Sequence, residues 1–370
     1  MTDNLTKDDV AKLLTDPSPD HRAALAGKVA VQFDRQQLTA AERKLAEDII
    51  RIMTRDAVVR VRQSLAENLK ASPNLPHDIA LTMAKDVEAV ALPILSVSTV
   101  LSENDLIEIV RGGSSGKQSA IAGRPEVSET LADALITHAD ETAVAVLVGN
   151  EGAKLDEAKL NRVIDRFGDS ALVQEPLVKR STLPLTVAER LVTKVSESLQ
   201  AYLVANHELP PEVAQELVLK SRERATVSLF TGESDEAAVE KLVAQLSRGG
   251  RLTPSLLIRS LCTGDMMFFE VALSHLAKVP LLNARLLIHD GGKLGLKSLY
   301  EKAGLPPSLL TVVRIAVEVA HETPFDGEDR DLERHSCRMI ERILTQYEAL
   351  DDSDVDYLLN KLGDLARPAA

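Results

Sequence analysis

A few stretches of this sequence carry residue types that could do chemistry. Gly112-Gly113-Ser114-Ser115-Gly116-Lys117 offers backbone N–H groups and a lysine, the ingredients of a phosphate cradle. A P-loop also needs a glycine five residues before its Gly-Lys pair and a strand ahead of the loop. Here that position is Arg111, and Glu103 to Val110 reads as helix. The stretch therefore reads as a turn between helices. Its remaining chemistry would be to hold a small anion with Arg111, Lys117 and the N–H groups of a helix start. Asp351-Asp352-Ser353-Asp354-Val355-Asp356 has the acids of a calcium loop but lacks the glycine and terminal glutamate of that pattern. It reads as acids placed at a helix start, where the dipole favours them.

Eight histidines are present. His321-Glu322 lacks the second histidine of a zinc-protease helix, and His335-x-Cys337 is the one close His/Cys pair, short of the three or four ligands that zinc needs. No Gly-x-Ser-x-Gly elbow occurs, and neither cysteine has a histidine and an acid arranged near it. No catalytic residue, metal or cofactor is expected. Met266-Met267-Phe268-Phe269 concentrates apolar side chains beyond what one helix face uses. It is either a core buried from both sides or an adaptable docking groove.

Composition narrows the field. The 370 residues include 43 Lys plus Arg against 56 Asp plus Glu, a net charge of −13. That sign opposes a polyanion partner. Aromatics are 3% with no Trp, too few for base-stacking platforms. Two cysteines exclude a disulfide framework and fit a reducing compartment. The apolar runs are too short to insert in a membrane, and the first residues lack the pattern of a signal peptide. The expected location is the cytoplasm.

The elements that must position these residues come from an internal repeat. Leu177-Val178 through Pro184, Val187-Ala188 and Leu191 recurs 26 residues later as Leu203-Val204, Pro210, Val213-Ala214 and Leu217. A shift of 56 places Ile121, Arg124, Ala132 and Leu135 on Leu177, Arg180, Ala188 and Leu191, and a shift of 40 places Asp16, Arg22, Leu25 and Ala26 on Asp56, Arg62, Leu65 and Ala66. Units are expected to open near Asp16, Asp56, Asp86, Gly112, Asp140, Asp169, Ser196 and Asp265. Most open with Asp or Ser, which cap helices by accepting an orphan backbone N–H. Each continues as two short helices separated by a polar break, often with Pro. One such hairpin cannot bury its apolar stripe alone, but stacked on neighbours it can. Ala143-Val144-Ala145-Val146-Leu147-Val148 is the best strand candidate, yet it occupies a helix position of its unit and reads as helix. Ala188 and Ala214 are expected at close helix contacts.

Asp56, Val61 and Arg62 resemble the turn-and-second-helix signature of HEAT-like α-solenoids, and Asp16 with Arg22 keeps part of it. Asp86, Asp140 and Asp169 keep the Asp without the Arg, and the units are shorter than is usual for that class. Over residues 1 to about 325 the repeat text also resembles an alphaproteobacterial family, domain of unknown function 2336, which implies no activity. The HEAT resemblance implies an all-α solenoid of antiparallel helix pairs in a right-handed superhelix. It also implies a concave face exposing Arg60, Gln63, Glu67, Gln118, Gln174, Lys179 and Gln200.

Three segments are expected: a repeat block over 1–230, a second over 231–325, and an acidic loop with closing helices over 326–370. Thr231 to Asp235 is the break, followed by a helix from Glu236 to Arg248 that Gly249-Gly250 ends. The function these features suggest is a non-enzymatic scaffold or adaptor for an as yet unidentified protein partner. Met266, Met267, Phe268 and Phe269 would be its apolar anchor, and Asp326, Glu328 and Asp329 would steer a basic partner. A helical-repeat binder of nucleic acid, nucleotide or small anions is the alternative.

Overall fold

The structure is a computed structural model that describes residues 18–34, 38–207, 211–229, 235–290 and 293–322, with positions 335, 338, 341 and 342. Side chains at 205–207, 211 and 293 are outside that description. The described residues form 19 α-helices and no strand, so the chain is all-α. Val127 and Ala153 make one isolated parallel bridge. The chain divides into two compact units, Met1–Leu183 and Pro184–Ala370.

In the first unit, α1 (Pro19–Asp34), α3 (Val59–Leu69), α5 (Glu88–Val97), α7 (Ser115–Ala122), α9 (Glu141–Gly149) and α11 (Ala171–Val178) form one row, each packed on the next. Helices α2 (Ala40–Met53), α4 (His77–Lys85), α6 (Glu103–Gly112), α8 (Glu129–His138) and α10 (Glu157–Phe167) pack beside that row. Leu65, Ile94, Ile121 and Leu147 from the row, and Val110, Leu135 and Val163 from its flank, are wholly buried. Each such side chain contributes about 1.5–3 kcal/mol by leaving water. Capping fits the sequence pattern: Asp140 accepts from Ala143 N at 2.9 Å, and Ser102 and Asp105 form a capping box on α6. Ser102 and His77 together hold the Asp105 carboxyl down at about 2.

The repeated arginines bind neighbouring units. Arg22 reaches Asp56 at 3.1 Å, and Arg62 reaches Asp86 through two bonds of 2.6 and 2.9 Å. The residues that carry the 40-residue shift thus hold one unit to the next. Arg124 donates to the carbonyls of Leu95 and Ser98, and Arg180 to those of Val148, Asn150 and Ala153. Both satisfy carbonyls at the end of an earlier helix, which an α-helix leaves without partners. This use explains why the two arginines align at a shift of 56.

The second unit opens with a long hairpin, α12 (Leu185–His207) and α13 (Pro211–Ser228). Then come α14 (Glu236–Arg248), α15 (Pro254–Cys262), α16 (Met266–Ala277), α17 (Leu281–His289), α18 (Lys293–Lys302), a 3₁₀ turn at Pro307–Leu309, and α19 (Leu310–Glu322). Helix α14 has the bounds expected from sequence, and Gly250 follows it with φ +65°, where glycine pays no Cβ penalty.

Within the second compact unit, which begins at Pro184, α12 packs on α14 and α13 on α15. Two expectations change here. Ser196 opens no unit. It lies inside α12, where its hydroxyl donates to Val192 O one turn back at 2.7 Å. Ala188 is only partly buried, while Val187 beside it and Ala214 on α13 are fully buried. Ala214→Phe is accordingly expected to cost about 1–3 kcal/mol through overpacking, read as a lower denaturant midpoint. Ala188→Phe should shift that midpoint much less.

No single described helix is long and apolar enough to cross a membrane. The bent pair α16 and α17 meets that test together, by length and composition only, and α16 is largely core, with Phe268, Phe269 and Leu273 wholly buried.

Candidate functional site

Four helices of the second unit contribute to one charged cluster around Glu270. Glu270 on α16 is 7% exposed, and a buried carboxylate needs partners for both oxygens. Arg285 and His289, one turn apart on α17, supply them. Arg285 Nε donates to Glu270 Oε2 at 2.7 Å and Arg285 Nη2 to Glu236 Oε2, at the start of α14, also at 2.7 Å. His289 Nε2 lies 2.6 Å from Glu270 Oε1. The other nitrogen of that ring, Nδ1, lies 2.5 Å from His321 Nε2, at the end of α19, and the two rings stack with centroids 4.7 Å apart.

This contact order sets the proton inventory. Glu270 accepts from His289 Nε2–H, so in the neutral pair His289 Nδ1 accepts from His321 Nε2–H. The Nδ1 of His321 is left as the terminal acceptor of a carboxylate–imidazole–imidazole chain. Both imidazoles sit in the last turn of a helix, where the dipole favours positive charge.

The histidine pair borders a cavity of about 270 Å³ between α17, α18 and α19. Ile288, Leu294, Leu310 and Val317 give it apolar walls, and Lys297, Arg314, Asp290 and Glu318 give it charge of both signs. Arg314 makes no hydrogen bond or ion pair within the described residues. Among the described residues no group of three His, Cys, Asp or Glu could hold a metal ion. Cys262 is buried, which pushes its thiol up to about 12 and removes it as a nucleophile.

The residues singled out from sequence are dispersed. Arg60, Gln63 and Glu67 are exposed on α3, with Arg60 paired to Asp20 and Glu67 to Lys70 at 2.9 Å. Gln118 is not exposed. Its amide is buried, donates to Val110 O at 2.8 Å and accepts from Asp140 N at 3.1 Å. Gln174 is half-buried and bonds Gly168 O at 2.8 Å, and Lys179 is exposed and pairs with Glu175 at 2.6 Å. Gln200 is half-buried on α12.

Phe268 and Phe269 are wholly buried, and Met266 and Met267 pack against the same core, so the cluster is no docking groove. The four-residue apolar run is long because α16 meets α14, α15, α17 and α18. Asp326, Glu328 and Asp329, Cys337 and the Asp351–Asp356 stretch lie outside the described residues.

The glycine loop is also occupied. Glu88 hydrogen-bonds Ser114 and lies against Gly116, while Lys117 Nζ donates to Asp86 O at 2.5 Å. A carboxylate already sits at the start of α7, which removes the small-anion reading of that loop.

A second surface was not found from sequence. Along α12, Val195, Leu199 and Tyr202 are 42–57% exposed at the spacing of one helix face. On α13, Val213 and Leu217, one turn apart, are about half exposed.

No curated protein and no solved structure matches the chain. One family model matches residues 90–351, most of both units. The chain belongs to that family, described as an uncharacterised protein conserved in bacteria (DUF2336).

Proposed function

We propose that the protein is an interaction scaffold with no catalysis of its own, and that it holds the amphipathic helix of a partner protein against the α12–α13 hairpin. The observation that carries this reading is the exposure of Val195, Leu199 and Tyr202 on one helix and Val213 and Leu217 on the next. Apolar side chains exposed at i, i+4 and i+7 form one face of an amphipathic helix, which packs against the apolar face of another. Lys194 with Glu197, and Glu216 with Lys220, add charge of both signs beside the stripes. Such a rim suits a partner helix of mixed charge better than a polyanion.

The test compares the parent protein with a Leu199→Asp, Leu217→Asp double variant as baits in its native cytoplasm. Both sites are exposed, so the variant should melt within a few degrees of the parent. A protein retained by the parent and lost at least tenfold by the variant, a change of about 1.4 kcal/mol, is the expected result. Equal retention by both baits would remove the hairpin from the interface. Tight, salt-sensitive binding of DNA or RNA by the parent would replace this reading with the nucleic-acid one.

A further inference from the structure

We infer that the cavity between α17, α18 and α19 binds a small primary amine, with its ammonium group among the acidic side chains and its hydrocarbon body on the apolar walls. This inference is independent of the hairpin reading. The cavity's volume, about 270 Å³, is at the lower edge of small-molecule pockets and suits a short carbon chain.

The sign of the ligand follows from the charges. Asp290, Glu318, Glu270, Glu236 and Glu301 lie around the cavity or behind the histidines, against Lys297, Arg314 and Arg285. The acids there outnumber the bases by two. Lys297 is matched by Glu301 at 3.8 Å, and Arg285 is shared between Glu270 and Glu236. Asp290 and Glu318 make no hydrogen bond or ion pair within the described residues, so their oxygens remain to accept from a ligand. Arg314 stands one turn before Glu318 on α19 and offsets only one of the two. Glu318 is half-buried in a cavity walled by Leu310 and Val317, where salt screens a charge less than at an open surface.

The hydrogen-bonding groups select the kind of cation. An ammonium carries three N–H donors and no acceptor, and the cavity offers it two carboxylates and the terminal imidazole nitrogen of neutral His321. A quaternary ammonium has no such donor and is held instead over aromatic faces. Among the described residues, no Phe, Tyr or Trp lines this cavity and no set of side chains suits a metal ion. The walls of Ile288, Leu294, Leu310 and Val317 receive a hydrocarbon body.

A free alkyl amine and the lysine side chain of a peptide share this chemistry, and both are charged at neutral pH. Hexan-1-amine and Nα-acetyl-lysine amide represent the two. Hexan-1-ol and sodium hexanoate are the contrasts in charge. Tetramethylammonium is the control for loose attraction of any cation to a chain of net charge −13. Each is titrated into the full chain by calorimetry at neutral pH. At least one amine should bind with Kd below about 1 mM, as ligands of this size can, and at least tenfold more tightly than the control. The tighter of the two names the source.

The Asp290→Asn, Glu318→Gln double variant should weaken that amine at least tenfold, with the circular dichroism melt unchanged. Arg314→Met removes a positive charge and keeps the apolar stem, so it should bind the amine at least as tightly as the parent does. The inference is overturned if neither amine binds the parent, or if hexan-1-ol, hexanoate or tetramethylammonium binds as tightly. It is also overturned if the double variant keeps the parent's affinity or if Arg314→Met weakens binding. A hairpin variant that loses its partner but still binds the amine would separate the two sites.

Discussion

Phe268→Ala is expected to lower the stability of the second unit by about 3–5 kcal/mol, the range for truncating a buried aromatic. The residue is wholly buried on α16, in a core that includes Leu242, Leu246, Leu273, Leu299 and Val312. The chain has only six Phe and no Trp, so few other side chains could fill the space it leaves. In urea this should appear as a fall of more than about 1 M in the midpoint of the second unit, for a slope of 1–3 kcal/mol/M. Met267→Ala, at a half-buried neighbour, should cost clearly less. An unchanged midpoint for Phe268→Ala would return the cluster to the surface and to the role of a partner anchor.

What was legible in the sequence follows from how local each feature is. The bounds of α14, its glycine ending and the helical state of Ala143 to Val148 depend on capping and periodicity within one element, and all three are observed. The aligned arginines were legible as a repeat, and the structure supplies the reason: Arg124 and Arg180 end earlier helices, while Arg22 and Arg62 join successive units.

Failures arise where one residue type serves two environments. Ser196 reads as a cap, but a serine inside a helix can bond the carbonyl one turn back, so α12 runs on without a break. Gln118 reads as surface because glutamine usually is, yet its amide bridges a helix end and the next unit's cap. The Glu270–His289–His321 chain has no sequence signal of its own. Its members are 19 and 32 positions apart, and only the packing of α16, α17 and α19 aligns them.

Glu189→Ala is expected to have the other large effect, about 3–5 kcal/mol, because it removes one side of a buried ion pair. Glu189 on α12 is 1% exposed and accepts from Gln245 Nε2 at 2.8 Å, from Thr193 at 3.0 Å and from Arg251. Gln245 also donates to Thr186 O at 3.0 Å, so the cluster ties the first turns of α12 to the end of α14. Truncation leaves the Arg251 guanidinium, only 20% exposed, beside an apolar gap with its charge uncompensated. The cost should come mainly from that orphaned charge rather than from the lost attraction. Buried pairs often stabilise little against an apolar substitute of equal volume. Glu189→Leu combined with Arg251→Met should therefore recover most of the loss, and urea midpoints of the two single variants and the double variant measure the coupling. A double variant as unstable as the sum of the singles would refute this account. It would show that Arg251 and Glu189 each serve the α12–α14 junction through separate partners.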